Sequence, residues 1–338
     1  MKLVLVTDAW FPQVNGVVRS LERVVAQLRA DGDTVTLIAP DRFRTLPCPT
    51  YPEIRLALPG PGKVARLIRE SGADFVHIAT EGPLGFAARR YCVSKGRGYT
   101  TSYHTRFPEY LSARSPVPLS WSYALVRRFH NRGLACMVAT QSLADELAGR
   151  GFRQLVTWPR GVDADFFRPR PGADLGFARP VFLCVGRVAV EKNLEAFLEL
   201  DLPGTKVVVG DGPAREELMR RYPDARFLGM LQGEDLGNAY AAADVFVFPS
   251  RTDTFGNVLL EALASGLPVA AFPVTGPKDL IRDPRAGALD EDLRRAAMRA
   301  LGLSRDYARS YAARFSWAES ARTFRDNVVA ANAGSETA

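Results

Sequence analysis

Val245-Phe246-Val247-Phe248-Pro249-Ser250-Arg251-Thr252-Asp253-Thr254-Phe255-Gly256-Asn257-Val258-Leu259-Leu260-Glu261-Ala262 decides the fold class. Four apolar residues of β-forming type run into a Ser/Thr/Asp/Gly turn, and a helical pattern starts near Asn257. A strand feeding a helix through a short turn is the repeating element of parallel α/β architecture. The element recurs on both sides of this stretch. Val181 to Val185, Lys206 to Val209, Ala225 to Leu228 and Val269 to Phe272 read as strands with helices between them. Upstream, Leu3 to Val6, Thr34 to Ala39, Asp74 to Ile78 and Met137 to Thr140 form a first series. Its helix over Val17 to Arg29 keeps Val18, Leu21, Val25 and Leu28 on one face. No fixed-period repeat is visible, which excludes a solenoid.

Between the two series, Asp163-Ala164-Asp165-Phe166-Phe167-Arg168-Pro169-Arg170-Pro171-Gly172 is rich in Pro and Arg and reads as a linker. At 338 residues, a chain of about two domains is expected. The expectation is two Rossmann-like α/β domains facing across a cleft, 1–168 and 172–315, with a C-terminal helix over 316–330 joining the first. Ser316-Trp317-Ala318-Glu319 has the form of a capping box that starts this helix. Ala331 to Ala338 read as a frayed tail. In doubly wound folds the ligand lies at the carboxyl ends of the strands.

Composition narrows the class further. The chain is 47% hydrophobic and 24% charged, which excludes a disordered or collagen-like chain. No stretch approaches the ~20 apolar residues of a membrane span. Met1 to Asp8 turns acidic too soon for a signal peptide and reads as a strand. Cys48, Cys92, Cys136 and Cys184 lie far apart with no Cys-x-x-Cys spacing, which points to a reducing cytoplasm rather than zinc or disulfides. Residues 1–165 carry 22 Lys and Arg against 14 Asp and Glu, a charge of +8, while the rest carries 22 against 23, or −1. An anionic partner for the first half follows, a membrane surface or nucleic acid. The chain lacks helix-turn-helix, zinc or RNP-like signatures, so nucleic acid is not the expected partner.

Two constellations carry chemistry. Gly186-Arg187-Val188-Ala189-Val190-Glu191-Lys192-Asn193 directly follows a strand. A glycine there lets the backbone turn sharply, and two cations suit a diphosphate, Arg187 as a planar fork and Lys192 as a point charge. Read alone, a strand followed by Gly-Arg is common. The second is the opening stretch, where the first turn of the helix at Asn257 favours an anion such as phosphate. Glu261 lies four residues on, among Leu259, Leu260, Ala262 and Leu263. An acid in that apolar company is placed for hydrogen bonding, for instance to ribose hydroxyls. Asp253 and Glu261 thus bracket the turn. Asp163-Ala164-Asp165 spells a metal-like triplet but opens the linker, and is read as chance.

Taken in order, these elements resemble retaining glycosyltransferases of family 4 with the GT-B fold, over nearly the whole chain. Val14-Asn15-Gly16-Val17 resembles the loop that approaches the donor phosphates, and Thr101-Ser102-Tyr103-His104 the segment with the active-site His. Arg160-Gly161-Val162-Asp163 resembles the Asn-Gly-Val-Asp element before the linker, and Asp253 to Glu261 the Glu-x7-Glu motif. The departures are Asp253 in place of Glu, Arg160 in place of Asn, and Thr275-Gly276-Pro277 in place of paired glycines. They resemble the subgroup that glycosylates diacylglycerol or transfers mannose from GDP-mannose. The short region between Ile281 and Asp292 is similar to bacterial glycolipid synthases.

The resemblance implies a donor site of Asn15, Gly16, Gly186, Arg187, Lys192, Met230, Asp253, Thr254, Phe255, Gly256, Asn257, Val258 and Glu261. It gives catalytic roles to His104, Asp253, Arg187 and Lys192. Met230 would lie near the nucleotide base, close to Gly210-Asp211-Gly212-Pro213. With two side-chain cations at the leaving diphosphate, neither metal nor cofactor is expected. The second domain would bind the nucleotide sugar and the first the acceptor. The expected activity moves a hexose or hexuronic acid from a nucleoside-diphosphate sugar, UDP-sugar favoured, to diacylglycerol at the cytoplasmic membrane face. The alternative is GDP-mannose-dependent mannosyl transfer to a glycan or polyprenyl-linked acceptor. An epimerase of the same fold would need an acid/base pair that the sequence does not show. Lys63 to Arg69 and Leu119 to Phe129, basic and amphipathic, are the segments that could touch an anionic membrane. His77 and His130 read as structural.

Overall fold

The computed structural model describes residues 1–13, 15–48, 51–112 and 116–334. Val14, which opens the Val14-Asn15-Gly16-Val17 element, and residues 335–338 of the expected tail lie outside them. The chain forms two units, Met1–Arg160 with the segment from Trp317 onward, and Gly161–Ser316.

In the first unit the elements are β1 (Lys2–Val6), α1 (Gly16–Ala30), β2 (Thr34–Ile38), β3 (Arg44–Cys48), β4 (Tyr51–Leu58), α2 (Lys63–Glu70), β5 (Phe75–Ile78), α3 (Pro83–Ser94), β6 (Thr100–Tyr103), α4 (Phe107–Ser112), α5 (Leu119–His130), β7 (Ala135–Val138), α6 (Gln141–Gly149) and β8 (Leu155–Thr157). Six strands make a parallel sheet in the order β2-β1-β5-β6-β7-β8, and β3 with β4 forms a separate antiparallel pair. From Leu3 onward β1 is apolar because helices cover both of its faces. Val4 and Val6 point into one core layer with Ile38, Val76 and Ile78. Leu3 and Leu5 point into the other with Leu21, Val24, Val25 and Leu28 of α1. The side-chain alternation of a strand accounts for the split.

The C-terminal helix, Trp317–Ala333, belongs to this second layer. Ala321, Phe324 and Val328 recur at helical spacing and are fully buried there. Polar bonds fix its rotation: Trp158 Nε1 donates to the Ser320 carbonyl at 3.1 Å and Asn327 Nδ2 to the Thr157 carbonyl at 3.0 Å. Arg325 Nε donates to Asp33 Oδ2 at 2.8 Å. The helix runs through Ala333, so Ala331 to Ala333 are helical rather than part of a frayed tail.

β6 is polar in sequence yet wholly buried. Its Thr and Ser hydroxyls each meet a buried histidine. Thr100 Oγ1 lies 2.9 Å from His77 Nδ1, Ser102 Oγ 2.9 Å from His77 Nε2, and Thr101 Oγ1 2.9 Å from His130 Nδ1. Buried polar groups in a sheet interior persist when they are paired in this way.

The second unit contains β9 (Val181–Val185), α7 (Glu195–Leu198), β10 (Thr205–Val209), α8 (Arg215–Arg221), β11 (Arg226–Gly229), α9 (Gly233–Ala242), β12 (Val245–Phe248), α10 (Asn257–Ala264), β13 (Val269–Ala271), α11 (Pro277–Leu280), β14 (Gly287–Leu289), α12 (Leu293–Leu301) and α13 (Arg305–Ala312). Its parallel sheet is ordered β11-β10-β9-β12-β13-β14. This is the doubly wound order, and it reverses direction between β9 and β12. The boundary between the units falls at Arg160/Gly161 rather than at residue 168. The linker residues are packed rather than loose: Phe167 lies edge-on to Tyr240 at 5.5 Å, and Arg170 pairs with Glu234 at 2.5 Å. Asp163 Oδ1 accepts from the Phe166 amide at 3.1 Å, a turn contact inside that segment.

All four tryptophans (Trp10, Trp121, Trp158 and Trp317) fall in the first unit, so tryptophan fluorescence reports on it alone. Phe324 meets the rings of Trp158 and His77, each at 4.8 Å. Phe324→Ala should destabilise the first unit by about 3–4 kcal/mol. A urea titration followed by Trp fluorescence should show the earlier midpoint, and an unshifted midpoint would mean the helix does not anchor the core.

Candidate functional site

In the second unit the two constellations from the sequence come together at the point where strand order reverses. β9 leads into Gly186, whose backbone sits at φ +156° and whose amide donates to the Val209 carbonyl at 3.0 Å. The approach is so close that a Cβ on Gly210 would lie 1.9 Å from the Gly186 carbonyl oxygen. Only glycine fits at position 210. Arg187 is half-buried in this turn. Three contacts then tie the following turn, Val190–Lys192, to the loop after β12. Lys192 Nζ pairs with Asp253 Oδ1, Asn193 Nδ2 donates to the Pro249 carbonyl at 3.0 Å, and Thr252 Oγ1 to the Glu191 carbonyl at 3.3 Å.

Asp253 is unevenly used. Oδ1 takes the Lys192 ammonium, while Oδ2 is buried and has no hydrogen-bond partner among the described residues. A buried carboxylate oxygen in that state calls for a donor. Beneath the pair, burial pushes the Cys184 thiol up to about 12, with Lys192 pulling it down and Asp253 adding to the rise. Cys184 is therefore an inert neutral side chain.

The loop enters α10 through Gly256, at φ +86°, with the Leu259 amide donating to its carbonyl at 2.9 Å. Thr254, Asn257 and Val258 are half-buried at the outer end, Phe255 is buried, and Leu259 onward is core. Glu261 is 9% exposed, and Tyr240 Oη donates to its Oε2 at 2.8 Å. Tyr240, on α9, is a functional candidate that the motifs did not reveal, because it lies outside every one of them. From behind, a Cβ on Gly276 would stand 2.9 Å from the Phe255 carbonyl, so the Thr275-Gly276-Pro277 loop packs directly on the Asp253–Phe255 backbone. Met230 follows β11 and is 54% exposed.

The first unit holds the other candidates. Asn15 caps α1, its Oδ1 accepting from the Val17 and Val18 amides at 3.0 Å each, and Gly16 is the first residue of that helix. His104 follows β6. Its Nδ1 lies 3.1 Å from Arg160 Nη2, and its ring lies edge-on to Trp158 at 5.7 Å. Burial, then the Arg160 charge and the nearby His77 and His130, hold His104 well below the usual imidazole range. His130 differs. Burial opposes its charge, but Cys136 and the Glu81 carboxylate 2.9 Å from Nε2 raise it to about 10. Asp8, at the end of β1, is a further missed carboxylate. It is raised by burial, and it accepts from the Leu84 and Gly85 amides at 2.8 and 3.2 Å, fixing the start of α3.

Of the two amphipathic segments, α2 packs its apolar face inward: Val64 and Ile68 are core residues. α5 buries Tyr123, Val126 and Phe129 but leaves Trp121 72% and Leu125 50% exposed, one turn apart on the opposite side. No helix among the described residues is long and apolar enough to cross a membrane.

Comparison with known proteins places this geometry. Residues 14–166 match the model of Glycosyltransferase Family 4, and residues 179–306 that of Glycosyl transferases group 1. A GDP-mannose-dependent alpha-mannosyltransferase of Mycobacterium tuberculosis is 31% identical over 315 residues, 86% of this chain and 83% of that protein. The chain belongs to glycosyltransferase family 4. A second relative of this family 4 enzyme, an alpha-monoglucosyldiacylglycerol synthase of Streptococcus pneumoniae, is 27% identical over 89% of this chain and 78% of its own. Among solved structures, sucrose-phosphate synthase from Thermosynechococcus elongatus superposes with a TM-score of 0.75 at 20% identity, over 96% of this chain and 97% of that one. The transferase thus has the two-domain GT-B fold.

The Lys192–Asp253 pair should be measurable without substrate. A double-mutant cycle with Lys192→Met and Asp253→Asn should give a coupling of about 1 kcal/mol in the stability of the second unit, shrinking at high salt. A coupling of zero would mean that the two turns are held by their other contacts alone.

Proposed function

We propose that this family 4 transferase moves a hexose or hexuronic acid from a nucleoside-diphosphate sugar, UDP-sugar favoured, to diacylglycerol, with retention and without a metal. The observation that carries the donor half is the orphaned Oδ2 of Asp253 beside the Lys192 ammonium. A sugar hydroxyl would satisfy that oxygen, and a diphosphate would complete the cation. Arg187 and the amides of Gly256 and Asn257 would share the charge that grows on the leaving group, and Glu261, steadied by Tyr240, would take the ribose hydroxyls. In this reaction the acceptor oxygen bonds to the anomeric carbon on the face that the diphosphate leaves. The acceptor proton passes to the departing phosphate oxygen. His104 would donate a hydrogen bond to the sugar.

The lipid acceptor is supported by α5. Trp121 and Leu125 stand in water on a unit with excess positive charge, beside Arg127 and Arg128. Aromatic and aliphatic side chains flanked by cations suit the headgroup region of an anionic bilayer, so the enzyme would work at the cytoplasmic membrane face. A second reading, GDP-mannose-dependent mannosyl transfer to a glycan or polyprenyl-linked acceptor, draws support from the 31% identity to the Mycobacterium tuberculosis enzyme.

The test is transfer of radiolabelled sugar from UDP-glucose, UDP-glucuronate and GDP-mannose to diacylglycerol in anionic vesicles, with EDTA present. Glycolipid formed from a UDP-sugar is the expected outcome. Product only from GDP-mannose and a soluble or polyprenyl acceptor would establish the second reading, and a requirement for a divalent ion would remove the metal-independent one. Arg187→Ala should lower kcat/KM by about a hundredfold, or ~3 kcal/mol of transition-state stabilisation. Trp121→Ser with Leu125→Ser should cut turnover of vesicle-embedded acceptor while leaving affinity for the nucleotide sugar unchanged. Equal turnover on vesicles would exclude α5 as the membrane contact.

A further inference from the structure

Arg160 is the residue whose surroundings the proposed activity leaves unexplained. It is 4% exposed, and no ion pair to it occurs among the described residues. Its guanidinium lies over the Trp158 ring at 3.9 Å, Nη1 donates to the Trp158 carbonyl at 2.8 Å, and Nη2 reaches His104 Nδ1 at 3.1 Å. A guanidinium has five N–H donors and no acceptor. The hydrogen between Arg160 and His104 therefore belongs to Arg160. His104 Nδ1 must offer its lone pair, and the proton of the neutral ring must sit on Nε2.

We propose that Arg160 is a positioning residue that locks His104 as the neutral Nε2–H tautomer, so that the ring meets the donor sugar as a hydrogen-bond donor and never as a base. Three features agree. The carbonyl of Trp158 and its indole face hold the guanidinium in place, so the donor is aimed before substrate arrives. A fixed cation at hydrogen-bond distance opposes an imidazolium, and of the groups facing the ring from neighbouring elements, His77 on β5 is held neutral by burial while His130 on α5 adds positive charge. Among the described residues, the acid bonded within this histidine cluster is Glu81, and it sits on His130. The contrast separates two jobs: His130 is built to stay charged and His104 to stay neutral. The proposal deepens the reading of His104 under Proposed function, and the state of the ring is measurable apart from it.

The full-length protein labelled with 15N-histidine gives the direct test. Long-range 1H–15N spectra, with the His104 signals identified by their loss in His104→Gln, should show the Nε2–H tautomer at pH 7 and no titration down to pH 5.5. An Nδ1–H pattern, or a shift to imidazolium in that range, overturns the proposal. The result stands whether or not the wild type transfers sugar, so failure of the proposed function and failure of this inference are distinct. With a competent acceptor, Arg160→Met should lower kcat about tenfold at pH 7 with little change in donor KM, and add an acid limb to the rate profile. Arg160→Lys keeps a charged donor and should recover most of kcat with a flat profile. A loss in Arg160→Met that follows only the folded fraction, with no new acid limb and an unchanged His104 spectrum, would make Arg160 a structural residue and refute the proposal.

Discussion

The ammonium of Lys192 and the carboxylate of Asp253 join two turns that lie 61 residues apart in the chain. Two hydrogen bonds beside the pair, from Asn193 Nδ2 to the Pro249 carbonyl and from Thr252 Oγ1 to the Glu191 carbonyl, strengthen that junction. β9 and β12 are neighbours in the sheet, and the strand order reverses between them, so their carboxyl ends diverge and leave room above the sheet. Without the ion pair and the two hydrogen bonds beside it, the loops would be independent. With them, the turn after β9 and the loop that leads into α10 are held together. The glycines serve the same end. Gly210 lets two strand exits touch, and Gly276 lets a third loop support the second from behind.

The first unit solves a different problem, since its centre is wet in sequence and dry in structure. A Thr-Thr-Ser-Tyr strand would be a poor interior for a parallel sheet were its hydroxyls left unpaired. His77 and His130 supply the partners for its Thr and Ser hydroxyls, and His104, just past the strand, faces Arg160. The same arrangement carries electrostatic information outward. The Glu81 carboxylate sits on His130, β6 hydroxyls sit on both ring nitrogens of His77, and the Arg160 guanidinium sits on His104.

Strands and helices with strong apolar patterning were legible from sequence alone. β1, β9 and β12 lie within a residue or two of their expected bounds because burial on both faces writes an apolar run, and α1 does so because its one buried face repeats at helical spacing. β6 was legible only as the segment bearing His104, since its hydroxyl-rich composition hides a strand whose partners are far away in the chain. β8, β14 and the β3–β4 pair are too short or too irregular to register. The end of the first unit was placed late because Pro and Arg content marks a linker but says nothing of packing. Phe167 and Arg170 anchor that segment to α9 through contacts no local pattern encodes. For the site, Gly186, Arg187, Lys192, Asp253 and Glu261 were visible as motifs, whereas Tyr240 and Asp8 required three-dimensional proximity. Arg160 was visible only as a departure from pattern.

The first unit is discontinuous: its sheet precedes residue 161, and the helix that covers one face follows residue 316. During synthesis the ribosome must therefore release the whole second unit before the first can bury Leu3, Leu5 and Phe324 together. For that interval a nascent sheet waits with one greasy side uncovered, a state suited to holding by a chaperone. The second unit, contiguous in the chain, has every residue of its own core available as soon as it emerges.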